Sequence, residues 1–133
     1  MKKLFFLLFI ALSVVSCSKK SDPSSEFSNK LTLGTGWNTS NYSDLIGVGT
    51  SFTASTAIYF RLESADDLGG SQVRIKIDKQ DGTAYKSYDY TNAQSYGHIF
   101  LSSFTVIDPG SYKATGILVT GLKTVASINF TVN

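Results

Sequence analysis

Cys17 and His98 are the only thiol and the only imidazole in this chain of 133 residues. Nucleophilic enzymes usually pair the nucleophile with a base, and ordinary pairs of that kind would all depend on His98 here. A zinc site would need carboxylates for every other ligand, because His98 has no cysteine partner. Its neighbours Ile99 and Phe100 favour a neutral, hydrogen-bonded histidine on a strand. No G-x-S-x-G motif and no glycine-rich phosphate loop occurs, so we expect no catalytic residue and no enzyme.

Three carboxylates lie together in the segment ESADDLGG, namely Glu63, Asp66 and Asp67. Carboxylate oxygens on a loop can bind calcium, but this spacing matches no EF-hand, and the alternative is an acidic turn that is simply solvated. Glycosidases need two carboxyl groups that face each other across a cleft. Nothing in this spacing places two carboxyl groups in that way. The sequence therefore predicts no metal site and no cofactor.

The surroundings of Cys17 indicate a different chemistry. Lys2 and Lys3 precede a run from Leu4 to Val15 in which all residues but one are apolar. Twelve residues form a helix of about 18 Å, which is too short for a hydrocarbon core of about 30 Å. A basic start, a short apolar core and small residues before a cut site are typical of a secretory signal peptide. The alternative is a buried element of the mature fold, which the lack of a polar face disfavours.

The four residues Val14-Val15-Ser16-Cys17 resemble the lipobox of bacterial lipoproteins. In that family the signal peptidase cuts before the cysteine, whose sulfur carries a diacylglycerol and whose amine is acylated. The resemblance implies that residues 1–16 are removed and that Cys17 is the lipidation site, so that palmitate-type acyl chains hold the protein to a membrane. A thiolate suits this position because it is a good nucleophile. The alternative is a secreted protein with an incidental cysteine.

Residues 18–26, SKKSDPSSE, are polar, rich in serine and interrupted by a proline. This composition predicts a flexible tether, so that residues 17–26 form the lipidated cysteine and its linker. The residue after Cys17 is Ser18 and not aspartate. By resemblance to the sorting rule of gram-negative lipoproteins, this implies the outer membrane. The sequence leaves open whether the protein faces the periplasm or the cell exterior.

The charge balance of the chain changes when the signal peptide is removed. The full sequence has 12 basic and 10 acidic side chains. Removal of 16 of the 133 residues leaves 117 and takes away Lys2 and Lys3, so that ten charges of each sign remain. Nucleic-acid binding calls for a basic patch, and attraction to anionic lipid calls for a polybasic segment. We therefore expect no nucleic-acid partner.

The remaining residues, 27–133, have the size of one domain and the patterning of strands. Apolar residues recur at every second position, and no window shows sustained helical periodicity. The alternating sets are Phe52, Ala54, Ile58, Phe60 and Leu62; Val73, Ile75 and Ile77; and Ala126, Ile128, Phe130 and Val132. Asp81-Gly82 predicts a tight hairpin turn with positive φ at both residues and a return strand over residues 83–91.

Strands of this length over about 100 residues favour an all-β fold with a single antiparallel β-sandwich, and a small barrel is the alternative. The segment Asp108-Pro109-Gly110-Ser111-Tyr112 resembles the P-G-x-Y corner of fibronectin type III and other immunoglobulin-like domains. The resemblance implies that the phenol of Tyr112 bonds back to the backbone and pins the crossover between the sheets. The chain departs from antibody domains because it has no cysteine pair and no tryptophan on the strand from Val73.

The segment from Thr35 to Thr50, TGWNTSNYSDLIGVGT, is a long connection that carries Trp37 and Tyr42. Long connections in compact domains are often functional, which makes Trp37 a candidate ligand-binding residue. The alternative is an edge strand over Leu45, Ile46 and Val48 with Trp37 plugging one end of the sandwich.

The return strand TAYKSYDYT carries three tyrosines. Period two places Tyr88 and Tyr90 on one face and Tyr85 on the other. Exposed tyrosines could stack on sugar rings or anchor a protein, so Tyr88 and Tyr90 are candidate ligand-binding residues for an envelope protein or a glycan. The alternative is that the tyrosines on one face of this strand lie in the core and the others form cross-strand pairs. Together these features predict a non-catalytic, membrane-anchored binding or assembly module, with carbohydrate binding as the alternative function.

Overall fold

A computed structural model of the protein describes residues 26–91 and 97–133. The predicted signal peptide, the lipidation site Cys17 and the tether up to residue 25 lie outside the described residues. Within the described part the chain forms ten strands and a short 3₁₀ turn at Thr120–Leu122, and it contains no α-helix. The strands are β1 Lys30–Gly34, β2 Gly36–Trp37, β3 Leu45–Ile46, β4 Ser51–Phe52, β5 Ala57–Glu63, β6 Val73–Lys79, β7 Ala84–Tyr90, β8 Ile99–Thr105, β9 Gly110–Leu118 and β10 Lys123–Val132.

Two sheets carry the fold. One sheet has three strands in the order β1-β5-β8, and the other has five in the order β4-β10-β9-β6-β7. All pairs within them are antiparallel except β4 and β10, which run parallel. This arrangement is the immunoglobulin-like β-sandwich that the sequence predicts, and that prediction is confirmed. Strands β2 and β3 form a separate two-stranded ribbon.

The core lies between the two sheets and follows the predicted alternation. On β5, Ile58, Phe60 and Leu62 are fully buried, whereas the residues between them are partly exposed. On β6 the buried set is Val73, Ile75 and Ile77. Each fully buried side chain of this kind contributes about 1.5–3 kcal/mol relative to exposure. The strand periodicity of the sequence therefore identifies the inner faces of β5 and β6 correctly.

The hairpin between β6 and β7 differs from the prediction. Only Gly82 has positive φ, at 90°, and Asp81 instead accepts a hydrogen bond from the Thr83 amide through Oδ1 at 2.8 Å. The register of the two strands shifts between Ile77 and Asp78, which leaves one extra residue on β7. A bulge of this kind changes the face to which the next side chain points. The prediction that Tyr85 faces away from Tyr88 and Tyr90 is therefore wrong, and all three pack against the core.

Tyr112 lies near the start of β9 with only 1% of its surface exposed. Its hydroxyl donates a hydrogen bond of 2.7 Å to the backbone carbonyl of Asp108, four residues upstream. The ring packs on Tyr85 and Phe130, with centroids 5.1 and 5.6 Å away. This geometry ties the connection before β9 to the strand that follows it.

Replacing Tyr112 by phenylalanine is expected to lower the free energy of unfolding by about 1 kcal/mol, because the Asp108 carbonyl loses its donor while the ring packing stays. Urea denaturation measures the difference. Tyr42→Phe is the matched control, since Tyr42 is 65% exposed and surface changes of this kind stay within about 0.5 kcal/mol. Equal stability of Tyr112→Phe and the unchanged protein would contradict the structural role of this hydroxyl.

Candidate functional site

The long segment after β1 forms a hairpin insert, which we define as residues 35–49. Strand β1 ends at Gly34 in the three-stranded sheet, and the chain enters the five-stranded sheet at β4. Between these points β2 pairs with β3, through Gly36 with Ile46 and Trp37 with Leu45. The predicted edge strand over Leu45–Val48 is therefore only two residues long and pairs with neither main sheet. The insert lies where the first strand crosses from one sheet to the other.

The hairpin insert is closed at its base and folded onto the outer face of the three-stranded sheet. The Thr35 amide donates to the Ile46 carbonyl at 2.9 Å, and the Gly49 amide donates to the Leu33 carbonyl at 3.1 Å. The ring of Trp37 meets that of Tyr59 edge to face, with centroids 5.3 Å apart. These contacts position the insert against β5, the central strand of its sheet.

Arg61 joins the tip of the insert to the same sheet face. Its Nε donates to the Ser43 carbonyl at 2.7 Å, and its Nη1 pairs with the Glu63 carboxylate. Glu63 also accepts a hydrogen bond of 2.8 Å from the Ser28 amide. Burial opposes ionisation of Glu63, but the hydrogen bonds from Ser28 and Arg61 outweigh it and hold the pKa of this carboxyl below its usual value. The ion pair with Glu63 and the hydrogen bond to Ser43 therefore fix the orientation of the Arg61 side chain.

Short polar contacts shape the tip of the insert. The Asn38 amide donates to the Asp44 carbonyl at 3.0 Å, and the Asn38 side-chain oxygen accepts from the Ser40 amide at 2.9 Å. Asn41 Nδ2 donates to Asp44 Oδ2 at 2.8 Å. Asparagine and aspartate favour such local turns because their short side chains can bond the backbone a few residues away. The residues TSN between Asn38 and Tyr42 thus form a defined turn.

A groove of about 380 Å³ opens between the insert and the sheet. Its floor comes from β1 and β5 and its wall from the insert: the lining residues are Lys30, Thr32, Arg61, Asn38, Asp44, Leu45 and Val48. Among the described residues Lys30 forms no ion pair, and Asp44 forms none either. The groove therefore offers a free ammonium group, a carboxylate and amide groups beside two apolar side chains.

The insert also exposes apolar surface, which we call the hairpin patch: Trp37, Tyr42, Ile46 and Val48. These residues are 42%, 65%, 52% and 61% exposed, and they make up four of the six large exposed hydrophobic side chains in the described part of the chain. All four lie on the insert, but the pairing of Gly36 with Ile46 and of Trp37 with Leu45 turns Trp37 and Ile46 to opposite faces of the two-stranded ribbon. Trp37, a predicted ligand-binding residue, lies in this patch.

Tyr88 and Tyr90, the other predicted ligand-binding residues, lie along the seam between the two sheets. Their hydroxyls donate to backbone carbonyls of β8, Tyr88 to Thr105 at 2.6 Å and Tyr90 to Ser103 at 2.7 Å. The Tyr90 ring also packs on Phe60, with centroids 5.4 Å apart. Both tyrosines are half-buried and join the edge strands β7 and β8, and neither of them lines the groove beside the insert.

Raising the pH is expected to weaken the fold through the half-buried Tyr90 and the buried Tyr112. Burial raises the pKa of both Tyr90 and Tyr112 above the ordinary phenol value. Below an unfolded pKa of about 10 both states hold the proton, and above it the unfolded state releases its proton before the folded state does, so the free energy of unfolding falls as the pH rises. Urea unfolding between about pH 8 and about pH 11 measures this loss. A free energy of unfolding that stays constant over the interval would contradict it.

His98 and the acidic cluster are used in local structure. The His98 ring stacks on Phe27, with centroids 4.5 Å apart, and its Nδ1 lies 3.0 Å from the Ser64 carbonyl. Asp66 pairs with Lys123, and Asp67 accepts a hydrogen bond from the Gly69 amide. Across residues 26–91 and 97–133, no group of three or more histidine, cysteine, aspartate or glutamate side chains is placed to hold a metal ion.

Sequence reasoning missed Lys30, Thr32, Asn38, Asp44 and Arg61 as site residues. One signal could have indicated Arg61, because Tyr59 and Arg61 occupy the outward parity of a strand whose inward parity is fully apolar. A tyrosine and an arginine on the outer face of a central strand indicate that another part of the chain packs on that face. The side chains of the insert gave no comparable signal, since their pairing depends on how the insert folds back.

Comparisons with known proteins bear on the fold alone. No protein-family model matches the sequence, and no curated protein matches it. Nor does the described part of the chain contain a helix long and apolar enough to cross a bilayer. Among solved structures, the chain is similar to the crystal structure of an immunoglobulin-like protein from Pseudomonas aeruginosa, with 13% identity and a TM-score of 0.49 over 78% of this chain and 92% of that one.

Proposed function

We propose that this protein is a non-catalytic lipoprotein, held in the outer membrane by acyl chains on Cys17, that presents its immunoglobulin-like sandwich as a binding or assembly module at the cell envelope. The observation that carries the binding role is the hairpin insert. It adds a groove and an exposed apolar patch to a sandwich whose core is complete without it. The anchoring is supported by the signal peptide and the lipobox-like residues in the sequence.

The strength of the proposed anchor depends on the number of acyl chains attached to Cys17. Each buried methylene contributes about 0.8 kcal/mol, and a single acyl chain binds a bilayer only marginally. A diacylglycerol on the Cys17 sulfur and a further acyl chain on its amine would make the attachment effectively permanent. The only cysteine of the chain then has a defined use.

Metabolic labelling with a palmitate analogue tests the anchor. The unchanged protein is expected to carry the label and to fractionate with the outer membrane, whereas Cys17→Ala is expected to lose both properties. Ser21→Ala is a matched control, because it alters the neighbouring tether and keeps the cysteine. Labelling of Cys17→Ala equal to that of the unchanged protein would refute the anchor.

Carbohydrate binding is the second candidate function, and one observation favours it. Trp37 and Tyr42 expose aromatic surface on the insert whose groove carries Asn38, Asp44 and Lys30. Aromatic rings that stack on sugars, together with amide and charged groups that bond hydroxyls, are a suitable combination for a glycan. The proposed contact surface is then the insert and not the face of Tyr88 and Tyr90.

Affinity electrophoresis on a panel of polysaccharides tests this second candidate. Retardation is expected for the unchanged protein and should be reduced in Asp44→Ala, which removes a groove carboxylate. Asp89→Ala is the matched control because Asp89 is an exposed carboxylate on β7, outside the groove. Absence of retardation on every glycan would count against carbohydrate binding.

A further inference from the structure

We propose that the groove beside the hairpin insert binds an acidic glycan through a carboxylate of the sugar, so that its ligand contains a uronic acid. This inference rests on carbohydrate binding, the second candidate function, and names the class of sugar. The polar groups that the fold leaves unused in the groove carry it, because hydrogen-bond donors outnumber acceptors among them.

The Lys30 ammonium lacks the partner that its strand position offers. Lys30 lies directly opposite Glu63 in the pairing of β1 with β5, and opposite charges at such positions attract each other. Glu63 is already occupied, because one of its carboxylate oxygens accepts from the Ser28 amide and the other pairs with Arg61. Across residues 26–91 and 97–133, Lys30 forms no ion pair. The sheet therefore leaves this exposed positive charge for a ligand.

Further donors line the groove without a bonding partner. Arg61 donates through Nε and Nη1, which leaves Nη2. The Asn38 side chain uses only its oxygen, which accepts from two backbone amides, so its Nδ2 is left as well. The hydroxyl of Thr32, which is paired with Arg61 across the two strands, forms no hydrogen bond within the described part of the chain.

Asp44 is the one carboxylate among the residues that line the groove, all of which are described. Its Oδ2 accepts from Asn41 Nδ2 at 2.8 Å, which leaves only Oδ1 for a ligand. A ligand that satisfies this set must therefore be rich in acceptors. Ionised acceptors form the stronger hydrogen bonds with ammonium and guanidinium groups, so a carboxylate suits Lys30 and Arg61 better than a neutral oxygen does.

A uronic acid carries the required groups on one ring. Its carboxylate matches Lys30 and Arg61, and its hydroxyls can donate to Asp44 and accept from Asn38. Its apolar C–H groups can lie on the two apolar side chains of the groove, and about 380 Å³ is within the usual size of a small-ligand site. A neutral sugar would provide no charge for Lys30.

Isothermal titration calorimetry with trigalacturonate and with its methyl ester tests the inference on the purified protein. Esterification removes the negative charge and keeps the sugar. The acid is expected to bind about tenfold or more tightly than the ester, since a hydrogen bond to a charged group strengthens binding by about this factor. The difference should shrink at about 1 M NaCl, because the groove is open to solvent and salt screens its charges.

A charge-matched pair of variants decides whether the groove is responsible. Lys30→Gln is expected to weaken the binding of trigalacturonate about tenfold or more, and Lys30→Arg should keep most of it because the positive charge remains. Lys113→Gln is the control, since Lys113 is also exposed and without an ion pair in the described ranges but lies on β9 of the other sheet. Equal losses in Lys30→Gln and Lys113→Gln would overturn the proposal. Circular dichroism is expected to show that all three variants are folded, because both lysines are exposed.

The ester separates this inference from carbohydrate binding itself. Protein that binds the ester as tightly as the acid would overturn the preference for a uronic acid and leave carbohydrate binding standing. Protein that binds neither these sugars nor any neutral glycan would refute both, whereas the anchor at Cys17 is decided by metabolic labelling. Binding of triglutamate as tight as that of trigalacturonate would show that the groove recognises a carboxylate without a sugar, and it would also overturn the proposal.

Discussion

Replacing Phe60 by alanine is expected to lower the free energy of unfolding by about 3–5 kcal/mol, the range for large cavities in packed cores. Phe60 lies at the middle of β5 with none of its surface exposed. Its ring contacts Tyr90, Phe100 and Phe104, with centroid distances of 5.4, 6.0 and 6.2 Å. These partners come from both sheets, so the cavity would open at the place where the sheets are joined.

A loss of this size is a large part of the total stability of a small domain, which is about 5–15 kcal/mol. Urea denaturation monitored by circular dichroism gives the measurement. Ile107→Ala is the control, because Ile107 is 63% exposed and its truncation should change the free energy by less than about 0.5 kcal/mol. A loss of less than 1 kcal/mol for Phe60→Ala, about the size of a single surface change, would show that this ring does not organise the core.

The main strands could be predicted because alternation is a local property of the sequence. On β5 and β6 each inward position is apolar and fully buried, so the period of two indicates both the strand and its inner face. The crossing of the first strand between sheets could not be predicted. It depends on β1 pairing with β5 and β4 pairing with β10, which are contacts between residues far apart in the chain.

On β7 one extra residue breaks the alternation of side chains between the two faces of the strand. Strict alternation separates Tyr85 from Tyr88 and Tyr90, but the register shift at Ile77 and Asp78 returns all three to the core side. The hydroxyls of Tyr88 and Tyr90 donate to backbone carbonyls of β8, and the hydroxyl of Tyr85 accepts from the Ile107 amide. Such backbone partners carry no signature in the side-chain sequence. A sequence can indicate that tyrosines are present on a strand, but their partners depend on how the two sheets face each other.

The candidate site could be predicted from the sequence only in part, because its groove depends on contacts between residues far apart in the chain. The unusual length and composition of residues 35–50 indicated a special segment, and Trp37 was identified within it. The groove, however, requires the insert to fold back onto Thr32 and Arg61, and the contact of Arg61 with the Ser43 carbonyl spans 18 residues. No periodicity relates these positions, so the site emerges only from the tertiary structure.

Replacing Gly34 by alanine is expected to detach the hairpin insert from the sheet. A β-carbon at Gly34 would lie 2.6 Å from the Ile46 backbone oxygen and 3.1 Å from the β-carbon of Leu45. Because the nearer obstacle is backbone, the insert itself has to move, at a cost of about 1–3 kcal/mol. Movement of the insert separates Trp37 from Tyr59 and removes the wall of the groove, so the site should be lost while the sandwich core stays folded.

Trp37 reports this change directly, because its emission should shift to longer wavelength as the ring becomes more exposed. Gly49→Ala is the matched control: it lies at the other end of the insert, and a β-carbon there would meet no atom within 4 Å. Circular dichroism should show the same strand content in both variants. If the emission of Gly34→Ala equals that of Gly49→Ala, the close approach of β1 to the insert does not position the site. An emission shift seen only in Gly34→Ala would show that the groove depends on Gly34, where the backbone of Ile46 leaves no room for a side chain.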